Sequence, residues 1–238
     1  MANLRMTWLG HGGILYRSPG DRFVWVDRWS AGPTYPDAFR QPERVDVVAP
    51  THGHYEHVGH DLSDVLELAR AGGHVICSHE MRVFLAGEGV TEATEMNKGG
   101  TVEQAGIRFS MVHADHSGGA TLTSGGREHT LELGCWGWVI EFEDGTRVYQ
   151  SGDTDLFGDM RLIGERYAPS IAVLPIGGHY TMGPADAARA VEMLGAQRVV
   201  PVHYGTFPIL AGTPDELRAA TDAEVVALEI GGMWEAPA

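Results

Sequence analysis

Four histidines and one glutamate fall within nine residues of this chain, and these side-chain types at this density point to metal binding. They are His52, His54, Glu56, His57 and His60. Imidazole and carboxylate groups are the usual protein ligands of borderline metals such as zinc. Residues two apart on an extended segment point to the same side, so His52 and His54 can reach one point. Glu56 and His57 can reach a second, which predicts two neighbouring metal sites; the alternative is an ordinary polar turn with surface histidines.

The elements around this cluster predict a strand-to-helix turn. Residues 45–49 are apolar except for Asp46 and predict a buried strand, and residues 61–70 carry apolar side chains at helical spacing. Such a turn supplies at most four ligands. Two metals therefore require further ligands from distant parts of the chain.

Other predicted strands also end in residues that could bind a metal. His113 and His116 follow one such strand, Asp153 lies in an acidic loop after another, and His203 follows a third. A single carboxylate at Asp153 could bridge two cations. His11, within a Gly-His-Gly-Gly turn, could either face the metal centre or bond only to the backbone. The three strands are predicted at 107–112, 146–150 and 199–202.

The rest of the chain predicts a layered α/β sandwich rather than one doubly wound sheet, because strands outnumber helices and hairpins lie in the first half. We expect one domain over 1–238, with long loops at 28–44 and 117–134 that shape a pocket. Trp29, Tyr35 and Phe39 could line it or simply pack. Further strands are predicted at 4–9, 13–17, 22–27, 74–78, 136–142, 171–176 and 225–230, with helices at 79–86, 184–194 and from Pro214.

The net charge and the composition of the chain disfavour some classes of partner. The net charge is −15, which disfavours nucleic acid and anionic membranes, because phosphate binding needs clustered Lys and Arg. No segment approaches the roughly 18 apolar residues of a membrane span, and residues 1–10 do not resemble a signal peptide, so we expect a cytoplasmic protein. Cys77 and Cys135 are expected to be small buried residues. The oligomeric state is open, a homo-oligomer included.

The order His-x-His-x-acid-His, then His, then Asp, then a final His resembles the metallo-β-lactamase superfamily, with its four-layer αββα sandwich. Within it the chain resembles a group of bacterial and archaeal metal-dependent hydrolases related to L-ascorbate-6-phosphate lactonase, and the resemblance covers essentially the whole chain. The matching stretches are Thr7-Trp8-Leu9-Gly10-His11, Thr51-His52-Gly53-His54, Asn97-Lys98-Gly99-Gly100, Gly152-Asp153-Thr154, Thr181-Met182-Gly183-Pro184 and Pro201-Val202-His203-Tyr204-Gly205-Thr206-Phe207-Pro208.

This resemblance implies two divalent metal ions, with zinc as the first choice and manganese, nickel or iron as alternatives. It assigns the first ion to His52, His54 and His116. The second ion is assigned to His57 and His203, with the acid at Glu56, and Asp153 is assigned as the bridge. His116 is preferred to His113 because the ligand in these relatives precedes a small hydroxyl residue, which here is Ser117. His113 is then either a residue that supports a ligand or unrelated to the site.

Two positions depart from the family pattern. Residue 56 is Glu where the family has Asp, and residue 60 is His where an acid is common. The extra methylene moves the carboxylate by more than an ångström, so Glu56 could bind the second metal differently or act as a base toward water. The departure at His60 could change a supporting contact.

The function implied is hydrolysis of a small ester, lactone or phosphoester by a metal-activated hydroxide, with Glu56, Asp153 and His179 as catalytic residues. His179 could protonate the leaving group or be a surface histidine. One alternative is a metal-dependent nuclease or phosphodiesterase, which the acidic charge opposes. Another is a non-hydrolytic di-metal protein, either redox or binding; the di-iron members of the superfamily typically have Glu where this chain has His54. The expected partner is a small-molecule substrate.

Overall fold

The computed structural model describes residues 2–237, in which two seven-stranded sheets face each other. The strands are β1 (Arg5–Trp8), β2 (Ile14–Arg17), β3 (Phe23–Val26), β4 (Val47–Val48), β5 (His74–Ser78), β6 (Ala93–Met96), β7 (Thr101–Gln104), β8 (Ile107–His113), β9 (Gly119–Ser124), β10 (Arg127–Glu132), β11 (Trp136–Glu141), β12 (Arg147–Gln150), β13 (Ile171–Pro175), β14 (Arg198–Val202), β15 (Glu224–Val225) and β16 (Met233–Glu235). The α-helices are α1 (Tyr55–Val58), α2 (Ser63–Arg70), α3 (His79–Gly87), α4 (Met160–Tyr167), α5 (Pro184–Leu194) and α6 (Pro214–Ala220), and two 3-10 helices lie at Asp37–Phe39 and His60–Leu62.

The strand directions place the carboxyl ends of the strands that precede the candidate ligands at one edge of each sheet. The first sheet has the order β16-β1-β2-β3-β4-β5-β6, and the second has the order β15-β14-β13-β12-β11-β8-β7. In the first sheet β1, β3 and β4 run in the same direction, because β1 and β3 are each antiparallel to β2, and β3 is parallel to β4. By the same reasoning β8, β12 and β14 share one direction in the second sheet. Their carboxyl ends therefore lie at one edge of each sheet, and backbone contacts join the two edges.

The core has two layers, which confirms the predicted αββα arrangement. A large apolar cluster lies between the sheets and includes Trp25 from β3 and Trp138 from β11, both fully buried. A second cluster lies between the second sheet and α4–α6, with Ala187 and Val191 of α5 facing Leu174 of β13. Helices α2 and α3 contact β4, β5 and β6 on the outer side of the first sheet.

Local signals in the sequence fix several element boundaries. Pro184 starts α5 at its first turn, and Gly195 ends it with φ of 67°. The Thr213 side chain accepts from the backbone N–H of Glu216, whose carboxylate accepts from the backbone of Thr213, so the predicted capping box is present. These predictions are confirmed.

The predicted loop at 117–134 is wrong, because most of it forms a β-hairpin. Strands β9 and β10 pair antiparallel from Gly119↔Glu132 to Ser124↔Arg127. Gly125 and Gly126 connect them with φ of 58° and 73°. Two residues at positive φ form the turn that suits a tight hairpin, and glycine adopts this conformation at low cost.

The predicted strand at 225–230 is also wrong. Pairing with β14 covers only Glu224 and Val225, and one further backbone bond joins Val226 to Val199. The chain then leaves the second sheet, and the N–H of Gly231 donates to the carbonyl of Trp8. Strand β16 follows and pairs with β1 at the edge of the first sheet.

The predicted helix at 61–70 begins two residues later, at Ser63. Asp61 and Leu62 both have φ of 55°, which breaks the helical path between the metal-binding turn and α2. Strands β6 and β7 and helix α4 were not predicted. Over residues 2–237, no helix combines the length and the apolar character needed to cross a membrane.

Candidate metal centre

The shared edge of the two sheets gathers histidines from both. His11 follows β1 and His52 follows β4 in the first sheet, whereas His116, Asp153 and His203 follow β8, β12 and β14 in the second. Two backbone contacts join the edges here: His52 pairs with Cys135 in an isolated antiparallel bridge, and the N–H of His203 donates to the carbonyl of His11 at 2.9 Å. The site therefore lies across the seam between the sheets.

The first imidazole group contains His52, His54 and His116, whose ligand atoms lie within 4.8 Å of one another. His52 Nε2 and His54 Nδ1 are 3.1 Å apart. The Thr51 hydroxyl donates to Asp27, so its oxygen is left to accept from His52 Nδ1 at 3.0 Å. This contact places the ring proton on Nδ1 and leaves the lone pair of Nε2 free to face a cation.

Burial also keeps this group neutral. It lowers the pKa of His52 well below the ordinary value, and the neighbouring His57 lowers it further. Burial is also the largest cause that lowers the pKa of His54 and of His116. Neutral imidazoles are the form that binds metal, so this group needs to release little or no proton on binding near neutral pH.

The second imidazole group contains His11, His57 and His203, again with ligand atoms within 4.8 Å of one another. All three are at most 2% exposed. The rings of His11 and His203 are 3.9 Å apart between centroids. Burial, and after it His203 and His57, lower the pKa of His11 to about 2.

Asp153 lies between the two groups. Its Oδ2 is 3.0 Å from His203 Nε2, 3.3 Å from His57 Nε2 and 3.8 Å from His116 Nε2. Burial would raise the pKa of this carboxyl, but His203 and His57 hold it well below its usual range. A carboxylate oxygen thus reaches members of both groups, which is the position expected of a bridging ligand.

Asp27, a buried carboxylate that the sequence reasoning missed, orients ligands of both groups. It accepts from the backbone N–H and the hydroxyl of Thr51, at 2.8 and 2.7 Å, and through Thr51 it orients His52. Its Oδ2 also lies 3.0 Å from His57 Nδ1, which turns Nε2 of that ring toward Asp153. Burial opposes protonation of His57, but Asp153 and Asp27 raise its pKa well above the ordinary value. The available signal was an acid at the carboxyl end of the strand predicted at 22–27.

A pocket of about 640 Å³ opens above the metal centre. Thr121 of the hairpin and three residues after β14, namely His203, Phe207 and Ile209, form part of its wall. Loop 28–44 supplies none of the lining, so that expectation is wrong; Trp29 instead packs behind the site against the rings of His11, Tyr55 and Phe207. The lining residues are His11, His54, Tyr55, Glu56, His116, Ser117, Thr121, Asp153, Tyr180, His203, Phe207 and Ile209.

Some predicted site residues lie outside the two histidine groups. Glu56 lines the pocket, and its buried Oε2 has no hydrogen-bond partner, but Glu56 is in none of the potential metal-binding groups formed within residues 2–237. His179 is exposed and contacts Tyr180, which lines the pocket in its place. His113 is exposed against Phe157, and His60 is exposed and stacked on Tyr55. The catalytic role of His179 stays a prediction.

The donor set fits a divalent metal. Six imidazoles and one carboxylate converge at the seam, and His11 Nε2 is buried with no hydrogen-bond partner within residues 2–237. A buried acceptor without a partner costs about 1–3 kcal/mol. A cation bound there satisfies this nitrogen, and hydrogen bonds within the described chain do not.

Comparisons with known proteins identify the family. The model of the Beta-lactamase superfamily domain matches residues 25–204. The chain belongs to the metallo-β-lactamase superfamily. A UPF0173 metal-dependent hydrolase of Koribacter versatilis is 39% identical over 237 residues, which cover 98% of this chain and 99% of the relative. Another, from Methanosarcina mazei, is 43% identical over 230 residues and 94% of each chain.

A solved structure of a metallo hydrolase is similar to this chain over nearly its whole length. Igni18, a metallo hydrolase from the hyperthermophilic archaeon Ignicoccus hospitalis, superposes with a TM-score of 0.83 at 30% identity, over 99% of this chain and 100% of that one. The chain is thus a metal-dependent hydrolase of the metallo-β-lactamase superfamily. The narrower relation to L-ascorbate-6-phosphate lactonase stays a prediction.

Proposed function

We propose that this metallo-β-lactamase superfamily member hydrolyses a small uncharged ester or lactone at a dinuclear centre, with zinc as the first candidate metal. The observation that carries the proposal is the position of Asp153. One of its oxygens lies within 3.8 Å of imidazole nitrogens from both histidine groups, at the floor of an open pocket. A shared carboxylate between two groups of ligands supports two ions rather than one.

Each group in the centre has a distinct part in this proposal. Bound divalent ions would supply a water of lowered pKa and a Lewis acid for the substrate carbonyl. His52, His54 and His116 hold one ion, His57 and His203 hold the other, and Asp153 contacts both groups. Asp27 fixes ring orientations from behind.

We propose that Glu56 transfers the proton from the attacking water to the leaving group. Its Oε2 is buried, has no hydrogen-bond partner within the described chain and belongs to a residue that lines the pocket. A carboxylate in that position can accept the proton from the attacking water and return it to the leaving oxygen. Glu56 needs no metal bond for this role.

The pocket chemistry supports an uncharged substrate. Its lining, which belongs wholly to the described part of the chain, includes neither Lys nor Arg. Tyr55, Tyr180, Phe207 and Ile209 provide apolar surface, and Glu56 adds a carboxylate. Sites that recognise phosphate normally supply Arg, Lys or backbone N–H groups. The net charge of −15 also repels polyanions, which opposes the nuclease alternative.

Paired substrates test this proposal. The metal-loaded protein is assayed with p-nitrophenyl acetate, p-nitrophenyl butyrate and dihydrocoumarin, and in parallel with p-nitrophenyl phosphate and bis(p-nitrophenyl) phosphate. We expect kcat/KM for the esters and the lactone to exceed the phosphoester values by at least about tenfold, since a difference of only about 1.4 kcal/mol in transition-state free energy produces that ratio. A preference for the phosphoesters would contradict the proposal. His113→Ala, exposed and outside the pocket, is the control variant for surface histidines.

A further inference from the structure

We infer that His11 is the third imidazole ligand of the second metal site, together with His57 and His203, and that Glu56 lies outside its coordination. The inference rests on the metal dependence of the proposed function. It departs from the family pattern, in which the acid at position 56 serves that site. Three independent features of the structure support it.

The first feature is the backbone around His11. Gly10 has φ of 89° and His11 has φ of 46°, which is left-handed backbone that a residue with a side chain rarely adopts. The turn is fixed because the carbonyl of His11 accepts from the indole of Trp8 and from the N–H of His203, both at 2.9 Å. Strained backbone of this kind clusters at functional sites. Here the left-handed backbone directs the imidazole of His11 toward the seam between the sheets.

The second feature is the ring of His11. Nδ1 lies 3.0 Å from the hydroxyl of Thr206, whereas Nε2 is buried and has no hydrogen-bond partner among residues 2–237. A histidine that only supports the fold is expected to satisfy both nitrogens, because buried polar atoms in proteins nearly always have partners. A ring nitrogen of His11 lies within 4.8 Å of ring nitrogens of His57 and His203, and Nε2 is the His11 nitrogen that no hydrogen bond within residues 2–237 occupies. That arrangement is what a metal ligand requires.

The third feature is the direction of Glu56. Glu56 and His57 are consecutive in α1, and consecutive helical residues point about 100° apart. His57 points inward to Asp27 and Asp153 and is 1% exposed, whereas Glu56 is half-buried and lines the pocket. Glu56 therefore lies outside the group of potential ligand atoms to which His57 and His203 belong, and His11 is the third member of that group. Glu56 remains available to water and substrate.

Metal content of matched variants tests this inference. The native chain, His11→Ala, Glu56→Gln and the control His113→Ala are stripped with a chelator, incubated with a small excess of Zn²⁺, freed of unbound metal and measured by mass spectrometry. We expect two ions per chain for the native protein, Glu56→Gln and His113→Ala, and one for His11→Ala. Two ions in His11→Ala, or one in the native chain or in Glu56→Gln, would overturn the inference.

Two further measurements separate a lost ligand from a misfolded chain. Circular dichroism must show native secondary structure for His11→Ala. Thr206→Val keeps His11 but removes the hydrogen-bond partner of its Nδ1. We expect this variant to bind the second ion about 10–100-fold more weakly, the usual effect of losing a partner behind a metal ligand. Unchanged affinity of the second ion in both variants overturns the inference even if activity falls.

The same samples distinguish this inference from the proposed function. If the native chain binds no metal, or binds two ions but hydrolyses no ester, the proposed function fails. If native, His11→Ala and Glu56→Gln all bind two ions and ester hydrolysis depends on metal, the proposed function stands and His11 is not a ligand. Visible absorption of the cobalt(II)-loaded proteins is a measurement that needs no substrate. His11→Ala should lose the absorption contributed by the second ion.

Discussion

At the scale of single residues, Asp153 and Asp27 organise the centre. Asp153 contacts imidazoles of both groups, and Asp27 orients His57 directly and His52 through Thr51. We propose that the carboxylate in the middle, Asp153, is a shared ligand, whereas Asp27 behind it fixes which ring nitrogen of His52 and of His57 faces the centre. Substitutions at the two positions should therefore have different consequences.

Replacing Asp153 by Asn is expected to lower ester kcat/KM by at least 100-fold and to reduce bound metal below two ions. The amide keeps the shape but removes the negative charge near His57, His116 and His203. Metal analysis and initial rates on the same preparation measure both effects. Two tightly bound ions with near-native rates in Asp153→Asn would show that this carboxylate does not bridge.

The histidines also predict how stability depends on pH once metal is removed. Burial is the largest cause that lowers the pKa of His11 and of His52, so in the folded protein both stay neutral below pH 6.5, where the unfolded chain binds protons. Stability should therefore fall as pH drops below about 6.5, by up to about 1.4 kcal/mol per pH unit for each fully buried histidine.

His57 has the opposite effect on the pH dependence of stability. Its pKa is raised by Asp153 and Asp27 despite burial, so its contribution is fully present below 6.5 and is lost as pH rises through its folded value. Urea unfolding of chelator-treated protein between pH 5 and pH 9 should thus show a maximum near or above pH 6.5. Stability that increases steadily from pH 6.5 down to pH 5 would contradict these assignments.

At the scale of elements, the turn after β1 makes room for His57. A Cβ built on Gly12 would lie 2.6 Å from Cε1 of His57, which is far too close for two carbon atoms. The glycine-rich turn thus has two uses: it gives His11 its left-handed backbone, and it lets an imidazole from α1 pack directly against the chain.

Replacing Gly12 by Ala should therefore displace His57 and lower affinity for the second ion at least about tenfold, while both sheets stay folded. Gly87→Ala is the matched control, because a Cβ there meets nothing within 4 Å and its φ is not positive. Calorimetric titration of metal into stripped protein measures the affinity. Equal second-site affinity in both variants would mean that the contact with Gly12 does not position His57.

Much of the fold could be predicted because the signals are local. The buried strand before His52, the proline at the start of α5 and the capping box at Thr213 each depend on residues within a few positions. The hairpin β9–β10 was missed since β10 is exposed along its whole length and offers no apolar face to detect. The Gly125-Gly126 pair carried the signal that could have found it.

The ligand candidates were also predictable as types of residue, but their partners were not. The structure brings His52, His54, His57, His116, Asp153 and His203 together at one edge. The involvement of His11 depends on a contact with Thr206, 195 residues away, and on a left-handed backbone that no spacing reveals. The stretch from Val225 to Ile230 was mistaken for a strand because its apolar pattern continues after its pairing with β14 has ended.

At the scale of the whole molecule, the metal centre joins the two sheets. The first sheet supplies His11, His52, His54 and His57, and the second supplies His116, Asp153 and His203. Ligands that close a seam between two layers should stabilise the folded state, because metal binds the assembled edge and not the unfolded chain.

Removing the metal should therefore lower Tm. An ion present at about 100 times its Kd contributes about 2.7 kcal/mol, which for a chain of this size corresponds to a Tm shift of about 5–10 °C per site. Differential scanning calorimetry with and without a chelator measures the shift, and Asp153→Asn should show a smaller one. An unchanged native Tm after proven metal removal would argue against a centre that joins the sheets.

The most direct test of the central claim follows metal and hydrolysis in one preparation. Ions per chain and the rate of p-nitrophenyl butyrate hydrolysis are measured as purified, after chelation and during stepwise addition of Zn²⁺. We expect two ions per chain, loss of hydrolysis on chelation and recovery that is complete only as the second ion binds. Hydrolysis that survives proven metal removal, or a chain that takes up no metal, would contradict it.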